Sequence, residues 1–545
     1  MDQFPQELFD QICSHLPAEA LRNASYVSIK FRKAAEHHAE QHKTDNFEIS
    51  QEDNLDKFIR YYSGFRIRYI KHVQLNVCFP DPTDEDRGCW ESAQEQREKD
   101  ETFTAQVQKI FAVLKEIEER AGKRNRGRYR LTICITPYVD EHCLHRQHAQ
   151  RRTHLLEPDA LPELASVASL HVLNDTSSAK LDYRTLVDLA TRLPDLEYLE
   201  CRMGQDEWTP SYPEEPASLF VWEYDGPRRD TRHDFSRAIE SKSTSMPKSL
   251  RTIELDFLCR EAMFVADQIN HLRAMPNLVL PLSKDPFSSS LRILSYHLQQ
   301  MTLRAQVDDA LFWPGDGDGT TPHWPLLQYI FLMFHMVSPS GDWYFDGPRG
   351  EGEGLASTSY ELDDSSYPPL ETTEDDESSE CQDAENDRSF ENTGGFWFRI
   401  TPSDNVLGPF LASFAKAAAH MPELKRAVLW SPLRWDVDRD DEEGPAFDYF
   451  EPPDKFEPDY SAWGFAYYAP RAGEPFATPG ERDCEDRQIW WRVGDWRPSG
   501  ELHHLFQQIG GQEHGEGLKE YWHDDEYGEG LVSRDYFERF TPEAY

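Results

Sequence analysis

One short pattern returns seven times along this chain: an apolar residue, two others, then apolar residues at alternate positions. It reads Ile70-x-x-Val73-x-Leu75-x-Val77, Val167-x-x-Leu170-x-Val172, Leu196-x-x-Leu199-x-Cys201 and Leu250-x-x-Ile253-x-Leu255-x-Phe257 in the first half. Leu291-x-x-Leu294-x-Tyr296-x-Leu298, Leu327-x-x-Ile330-x-Leu332-x-Phe334 and Leu424-x-x-Ala427-x-Leu429 follow. Alternation with period two predicts a strand with one buried face. In "RLPDLEYL", "SMPKSLRTI", "HWPLLQYI" and "HMPELKRAV" a proline stands just ahead, where it ends a helix and turns the chain into the strand. Between strands the period becomes helical. Phe103, Val107, Ile110, Phe111, Leu114 and Ile117 mark one apolar face, and Leu407, Phe410, Leu411, Phe414, Ala418 and Met421 another. Alternating helices and strands predict an α/β class.

Charge is spread unevenly over the 545 residues. Residues 351–394 hold fifteen acidic residues against Arg388 alone, and 431–460 hold eleven against three basic ones, together more than half of the formal −42. The first stretch is too charged and too short of apolar residues to fold, and reads as a disordered insertion between folded parts. Its acid-flanked serines and threonines are candidate phosphorylation sites. An acidic chain is a poor ligand for nucleic acid, whose binding rests on Lys and Arg neutralising phosphates. The basic run "RAGKRNRGRYR" (120–130) reads as a solvated loop. Nine cysteines without paired spacing argue against a disulfide framework or a zinc ribbon. No apolar run reaches the roughly 18 residues that span a bilayer, and "MDQFPQ" lacks a signal-peptide pattern. A soluble chain of a reducing compartment, cytoplasmic or nuclear, is expected.

The opening stretch "FPQELFDQICSHLPAEALRNASYVSIKFRKAA" (4–35) stands apart. Pro5 suits a first helical turn, and Leu8, Phe9, Ile12, Cys13 and Leu16 recur at helical steps. Pro17 stops that helix and starts a second with Leu21. Asn23 or Ser25 introduces a third, carrying Val27, Phe31, Ala34 and Ala35. Three helices in so few residues bury too little surface to be secure alone. The surplus apolar positions predict a docking module covered by another protein.

The order Phe4-Pro5-x-Glu7-Leu8-Phe9-x-x-Ile12-Cys13-x-x-Leu16-Pro17, then Leu21, Val27-Ser28 and Phe31-Arg32, resembles the F-box. That motif is usually written L-P-x-E-L-L-x-x-I-L-x-x-L, followed by Leu, Val-Cys and Trp-Arg. Phe replaces Leu at 4, Cys replaces Leu at 13, Ser replaces Cys at 28 and Phe replaces Trp at 31. The resemblance implies a three-helix unit that binds the Skp adaptor of a cullin-based ubiquitin ligase through Phe4, Pro5, Glu7, Leu8, Phe9, Ile12, Leu16, Pro17, Leu21 and Val27. The repeated units behind it resemble leucine-rich repeats, in which each unit buries its apolar face by stacking on the next. Successive copies start 97, 29, 54, 41, 36 and 97 residues apart, so the resemblance implies an irregular solenoid with large insertions. Taken together, the chain resembles large fungal-type F-box proteins with degenerate leucine-rich repeats. The organisation this implies is an F-box at 1–45, a leucine-rich-repeat-like α/β region at 46–350, the acidic insertion at 351–394, and an aromatic-rich continuation of the α/β region at 395–545.

No G-x-S-x-G, P-loop, H-E-x-x-H or G-x-G-x-x-G occurs. His142, Cys143, His145 and His148 in "HCLHRQH" lack a second ligand pair, and "GDGDG" (315–319) lacks the distal acid of a calcium loop. The expectation is a receptor without catalytic residues, metal or cofactor, with an enzyme in the aromatic C-terminal half as the rival. Another rival is an F-box protein that uses the adaptor outside any ligase. Tryptophans gather beyond strand-like runs, at Trp313, Trp324, Trp343, Trp397, Trp430, Trp463, Trp490, Trp491 and Trp496. Aromatic anchors dominate many interfaces. Trp343 and Tyr344, between Gly341 and Gly347, are the candidate substrate-binding residues.

Overall fold

The computed structural model describes residues 4–41, 47–49, 55–79, 90–135, 151–174, 180–203, 224–258, 271, 274–315, 322–348, 359–371, 396–434, 436–437, 461–472, 485–515, 517–522 and 532–538. His142, Cys143, His145 and His148 lie outside them, as does most of "GDGDG".

Three helices open the chain, α1 (Gln6–Ser14), α2 (Ala18–Ala24) and α3 (Ile29–Gln41). Pro5 precedes the first and Pro17 the second, as the spacing predicts, and Ser28 Oγ accepts from Phe31 N at 3.2 Å to start the third. There follow β1 (Phe47–Ile49), α4 (Leu55–Tyr62), β2 (His72–Val77), α5 (Ala93–Ala121), β3 (Tyr129–Ile135), β4 (Val167–Leu173), α6 (Arg184–Ala190) and β5 (Tyr198–Arg202). Next come α7 (Asp225–Lys242), β6 (Thr252–Asp256), α8 (Pro286–Ser295), β7 (Gln300–Ala305), β8 (Tyr329–Phe334), β9 (Phe345–Asp346), β10 (Phe396–Trp397), β11 (Thr401–Pro402), α9 (Leu407–Ala418) and β12 (Arg426–Leu433). The last elements are β13 (Asp436–Val437), β14 (Ser461–Tyr468), β15 (Arg487–Arg492), α10 (Gly500–Gln507), α11 (Gly511–His514), β16 (Leu518–Trp522), β17 (Val532–Ser533) and α12 (Asp535–Glu538).

Thirteen strands form one open sheet. Strands β1 to β8 and then β12 are parallel and stand in chain order. β14 and β15 continue it antiparallel, β16 is parallel to β15, and β17 pairs with β14. The chain is mixed α/β with a large, mostly parallel sheet. Alternate side chains such as Val73, Leu131, Leu170, Leu199, Ile253 and Leu303 are buried in one core with Phe111 of α5, Leu189 of α6, Phe235 of α7 and Leu291 of α8. Residues between them, including Gln74, Thr132, His171, Glu200 and Glu254, occupy the opposite face.

Two strand assignments change. The stretch from Leu291 to Leu298 is not a strand: Pro286–Ser295 is α8, because leucines three and four apart satisfy a helical period as well as the strand pattern. Asp285 decides between them, since its side chain accepts from Ser288 N at 2.9 Å and Pro286 stands in the first turn. The strand of that unit is β7, in which Met301, Leu303 and Ala305 are buried. β3, with no copy of the pattern, divides the first 97-residue gap and begins inside the basic run.

The acidic insertion is not disordered throughout. Residues 359–371 lie along α7 as an ordered strap. Tyr360 bridges to Pro276 in parallel, its amide donates to Met275 O at 3.0 Å, and its hydroxyl donates to Asp225 Oδ2 at 2.5 Å. Tyr367 donates to Asp230 Oδ2 at 2.8 Å, and Arg151 donates to the carbonyls of Pro368 and Pro369 at 2.9 and 3.2 Å. Gly226 permits the close approach, because a Cβ there would stand 2.6 Å from the Tyr367 ring. Composition averages over the stretch and hides three anchors, Tyr360, Tyr367 and Pro368. Deleting 359–371 should therefore lower stability by roughly 2.5–7.5 kcal/mol at about 0.5–1.5 per hydrogen bond. A calorimetric scan showing an unchanged Tm would mean the strap contributes nothing. The remainder of 351–394 lies outside the described residues.

Candidate docking face on the N-terminal helices

The first three helices have a core of their own. Phe9, Cys13, Leu21, Ala24, Ala34 and Ala35 are buried together, with Leu16 and Phe31 packed against them. The Phe9 and Phe31 rings meet edge to face at 4.8 Å. Burial pushes the Cys13 thiol up, with a smaller contribution from Asp10. Gln6 Nε2 donates to Lys30 O at 3.0 Å and Lys30 Nζ to Phe4 O at 2.6 Å, which holds the start of α3 beside the start of α1.

On α1 the residues one position before the core stripe point the other way. Phe4, Leu8 and Ile12, four residues apart, are 55, 44 and 48 % exposed. The link into α3 adds Tyr26, Val27 and Ile29. Six of the twelve large hydrophobic side chains exposed among the described residues thus fall between positions 4 and 29. Single exposed leucines need no explanation, but this density on one small unit makes it the candidate docking surface. α3 holds the unit to the body. Arg66 pairs with Glu36 at 2.8 Å, Tyr69 donates to Lys33 O at 2.8 Å, and the Lys33 ammonium lies 5.2 Å over the Phe65 ring.

The ten residues expected to touch an adaptor therefore divide. Phe4, Pro5, Glu7, Leu8, Ile12, Pro17 and Val27 are exposed and Leu16 is half-buried. Phe9 and Leu21, 3 and 2 % exposed, offer no surface; they build the core that presents the others. Tyr26 and Ile29 were legible only as neighbours of Val27-Ser28, and their exposure adds them to the face.

Trp343 and Tyr344 are not a substrate-binding loop. A tight turn, with Ser338 N donating to Asp342 O at 2.8 Å and Gly341 at φ +88°, folds both rings inward. Tyr344 is 1 % exposed and donates to Val307 O at 2.7 Å; Trp343 lies under the Arg399 guanidinium at 4.7 Å. Trp324, Trp430, Trp463, Trp490 and Trp491 are buried likewise. Among the described residues no helix is long and apolar enough to cross a membrane. In comparison with known proteins, the chain matches no family model and no curated protein.

Proposed function

We propose that the chain is the substrate-recognition subunit of a Skp-cullin-F-box ubiquitin ligase. The observation that carries this reading is the exposed Phe4, Leu8 and Ile12 stripe over a separate three-helix core, at the offsets of an F-box. In this reading the apolar stripe docks on the Skp adaptor and, through it, on a cullin. The parallel strands in chain order, each joined to the next by a crossover, support an irregular leucine-rich-repeat-like solenoid as the substrate-binding part. The chain itself transfers nothing. It raises the effective concentration of a bound protein near the conjugating enzyme, which is where its rate effect arises. Such a receptor works in the cytoplasm, the nucleus or both.

Affinity purification of the tagged full chain followed by mass spectrometry tests the proposal. Co-purification of a Skp-family adaptor together with a cullin is the expected result. Adaptor without cullin overturns the ligase assignment and leaves an F-box protein acting outside it; recovery of neither overturns the reading entirely.

A further inference from the structure

Strand β4 breaks the alternation of the sheet. Val167 and Leu170 stand three residues apart, yet both are buried in the core. The register explains it: Tyr129 pairs with Val167 and Arg130 with Ser169, which leaves Ala168 as an extra residue. A bulge of this kind re-aims the side chains that follow it. Here it turns Ser169 and His171 onto the polar face, in register with Tyr198 and Glu200 of β5. Ser169, Tyr198, Thr252 and Gln300 form one row of that face and are half-buried, and Arg130 beside Ser169 is exposed, so solvent reaches this row.

Three side chains there form a relay. Ser169 Oγ lies 2.7 Å from His171 Nε2, and His171 Nδ1 lies 2.7 Å from Glu200 Oε2. Arg202 pairs with the other Glu200 oxygen at 3.3 Å, and the Tyr198 hydroxyl stands 3.2 Å from Oε2. Burial by itself raises the Glu200 carboxyl, but the hydrogen bond and charge of His171, with Arg202 and Tyr198, outweigh it and hold the group below its usual range. Glu200 is therefore an ionised acceptor. An acceptor at Nδ1 places the ring hydrogen on that nitrogen and leaves Nε2 to take the hydrogen of the Ser169 hydroxyl. The Tyr198 ring, 5.2 Å from the imidazole and tilted by 34°, restrains the ring plane. His171 and Glu200 are each 7 % exposed, so water competes weakly for their bond. The order is that of a nucleophile, its base and the acid that orients the base.

We propose that Ser169 is an activated nucleophile that cleaves carboxylic esters, with His171 as its general base and Glu200 as the positioning residue of that base. Ser169 Oγ bonds to the ester carbonyl carbon while its proton passes to His171 Nε2 and the carbonyl electron pair moves onto oxygen. Arg130, exposed and opposite Ser169 on the neighbouring strand, supplies the positive charge for that oxyanion. Re-forming the carbonyl breaks the bond to the alcohol oxygen, which leaves with the proton from His171. Water, deprotonated by the same nitrogen, then attacks the acyl group, releases the carboxylic acid and restores the serine. An open face selects by reactivity rather than by shape, so small activated esters are the substrate class. No G-x-S-x-G marks the site, because a bulge and strand register bring the three groups together instead of a strand-to-helix turn. The site goes beyond the receptor reading and does not rest on it.

The test treats the full-length chain with a fluorophosphonate probe, from whose phosphorus the serine oxygen displaces fluoride, and finds the labelled residue by peptide mass spectrometry. Label on Ser169 is the expected result, together with hydrolysis of p-nitrophenyl acetate above the buffer rate. Ser169→Ala should lose both at an unchanged melting temperature, since the position is half-buried and the change removes one oxygen. His171→Ala should slow labelling about 10²–10⁴-fold, the share of a general base, and added imidazole should restore part of it. Glu200→Gln should slow labelling about ten-fold or more, and Glu200→Asp, which keeps the carboxylate, should recover part of that loss. A wild-type chain with neither label nor ester hydrolysis above buffer overturns the site. Label on another residue, or an equal rate in His171→Ala, overturns it as well. Adaptor capture, measured on the same preparation, separates the two readings: label on Ser169 without adaptor overturns the receptor reading and leaves this site standing.

Discussion

The double substitution Leu8→Asp with Ile12→Asp should remove adaptor binding from the full chain and leave its melting temperature unchanged. Both side chains are nearly half exposed in the free protein, so charging them disturbs no core. In the proposed complex, burying the exposed half of each contributes about 0.7–1.4 kcal/mol, and two carboxylates on an apolar surface add a desolvation cost. The combined loss, about 1.4–2.8 kcal/mol before that cost, corresponds to an affinity drop of roughly 10- to 100-fold, and the desolvation cost adds to it. Calorimetric titration with a purified Skp-family adaptor measures it. Phe9→Ala is the informative contrast: Phe9 is 3 % exposed, so its truncation should cost about 3–5 kcal/mol of the unit's own stability and lose binding together with fold. Equal adaptor affinity for the Asp double variant and the wild type would show that the Phe4, Leu8 and Ile12 stripe is not the docking face.

Asp285→Asn should be among the most destabilising single changes in the body. Asp285 and Arg232 are fully buried and pair at 2.8 Å, and Arg232 also donates to Gln306 O at 2.8 Å and lies 4.4 Å over the Phe287 ring. Asparagine retains an oxygen for Ser288 N and so keeps the cap of α8, but it removes the carboxylate that pairs with Arg232. Breaking one side of a buried pair costs about 3–5 kcal/mol, a large share of the roughly 5–15 kcal/mol that holds a domain together. Adding Arg232→Met should recover part of the loss, since it removes the buried charge that Asp285 paired. Urea unfolding followed by circular dichroism reads both. A loss under about 1 kcal/mol for Asp285→Asn would show that relaxation or water already screens the pair.

Strands β2, β4, β5, β6, β8 and β12 were legible because each carries alternation with one apolar face and most have a proline before them. α8 was misread because Leu291, Leu294 and Leu298 fit two periods. The missed signal was local, Asp285-Pro286 with Ser288 three residues on, a cap followed by a first-turn proline. The strap at 359–371 was missed for the opposite reason. Its acidic neighbours dominate any average over the window, while three contacts with Asp225, Asp230 and Arg151, more than a hundred residues away in sequence, order it.

What the sequence by itself determined is periodic and local: the three opening helices with the proline starts of the first two, the amphipathic faces of α5 and α9, and the α/β class; the third helix starts after Ser28, beyond the Asn23 or Ser25 expected. Those follow from propensity, capping and alternation, which act over a few neighbouring residues. What only the tertiary structure decided is which apolar residues remain outside. Leu8 and Phe9 are adjacent and equally apolar, yet a step of about 100° around the helix buries one against Phe31 and leaves the other in water. Trp343 and Tyr344 lie in a glycine-bounded turn that reads as exposed, and Val307, Arg399 and His271, all distant in sequence, bury them. Burial depends on what the rest of the chain packs against a residue.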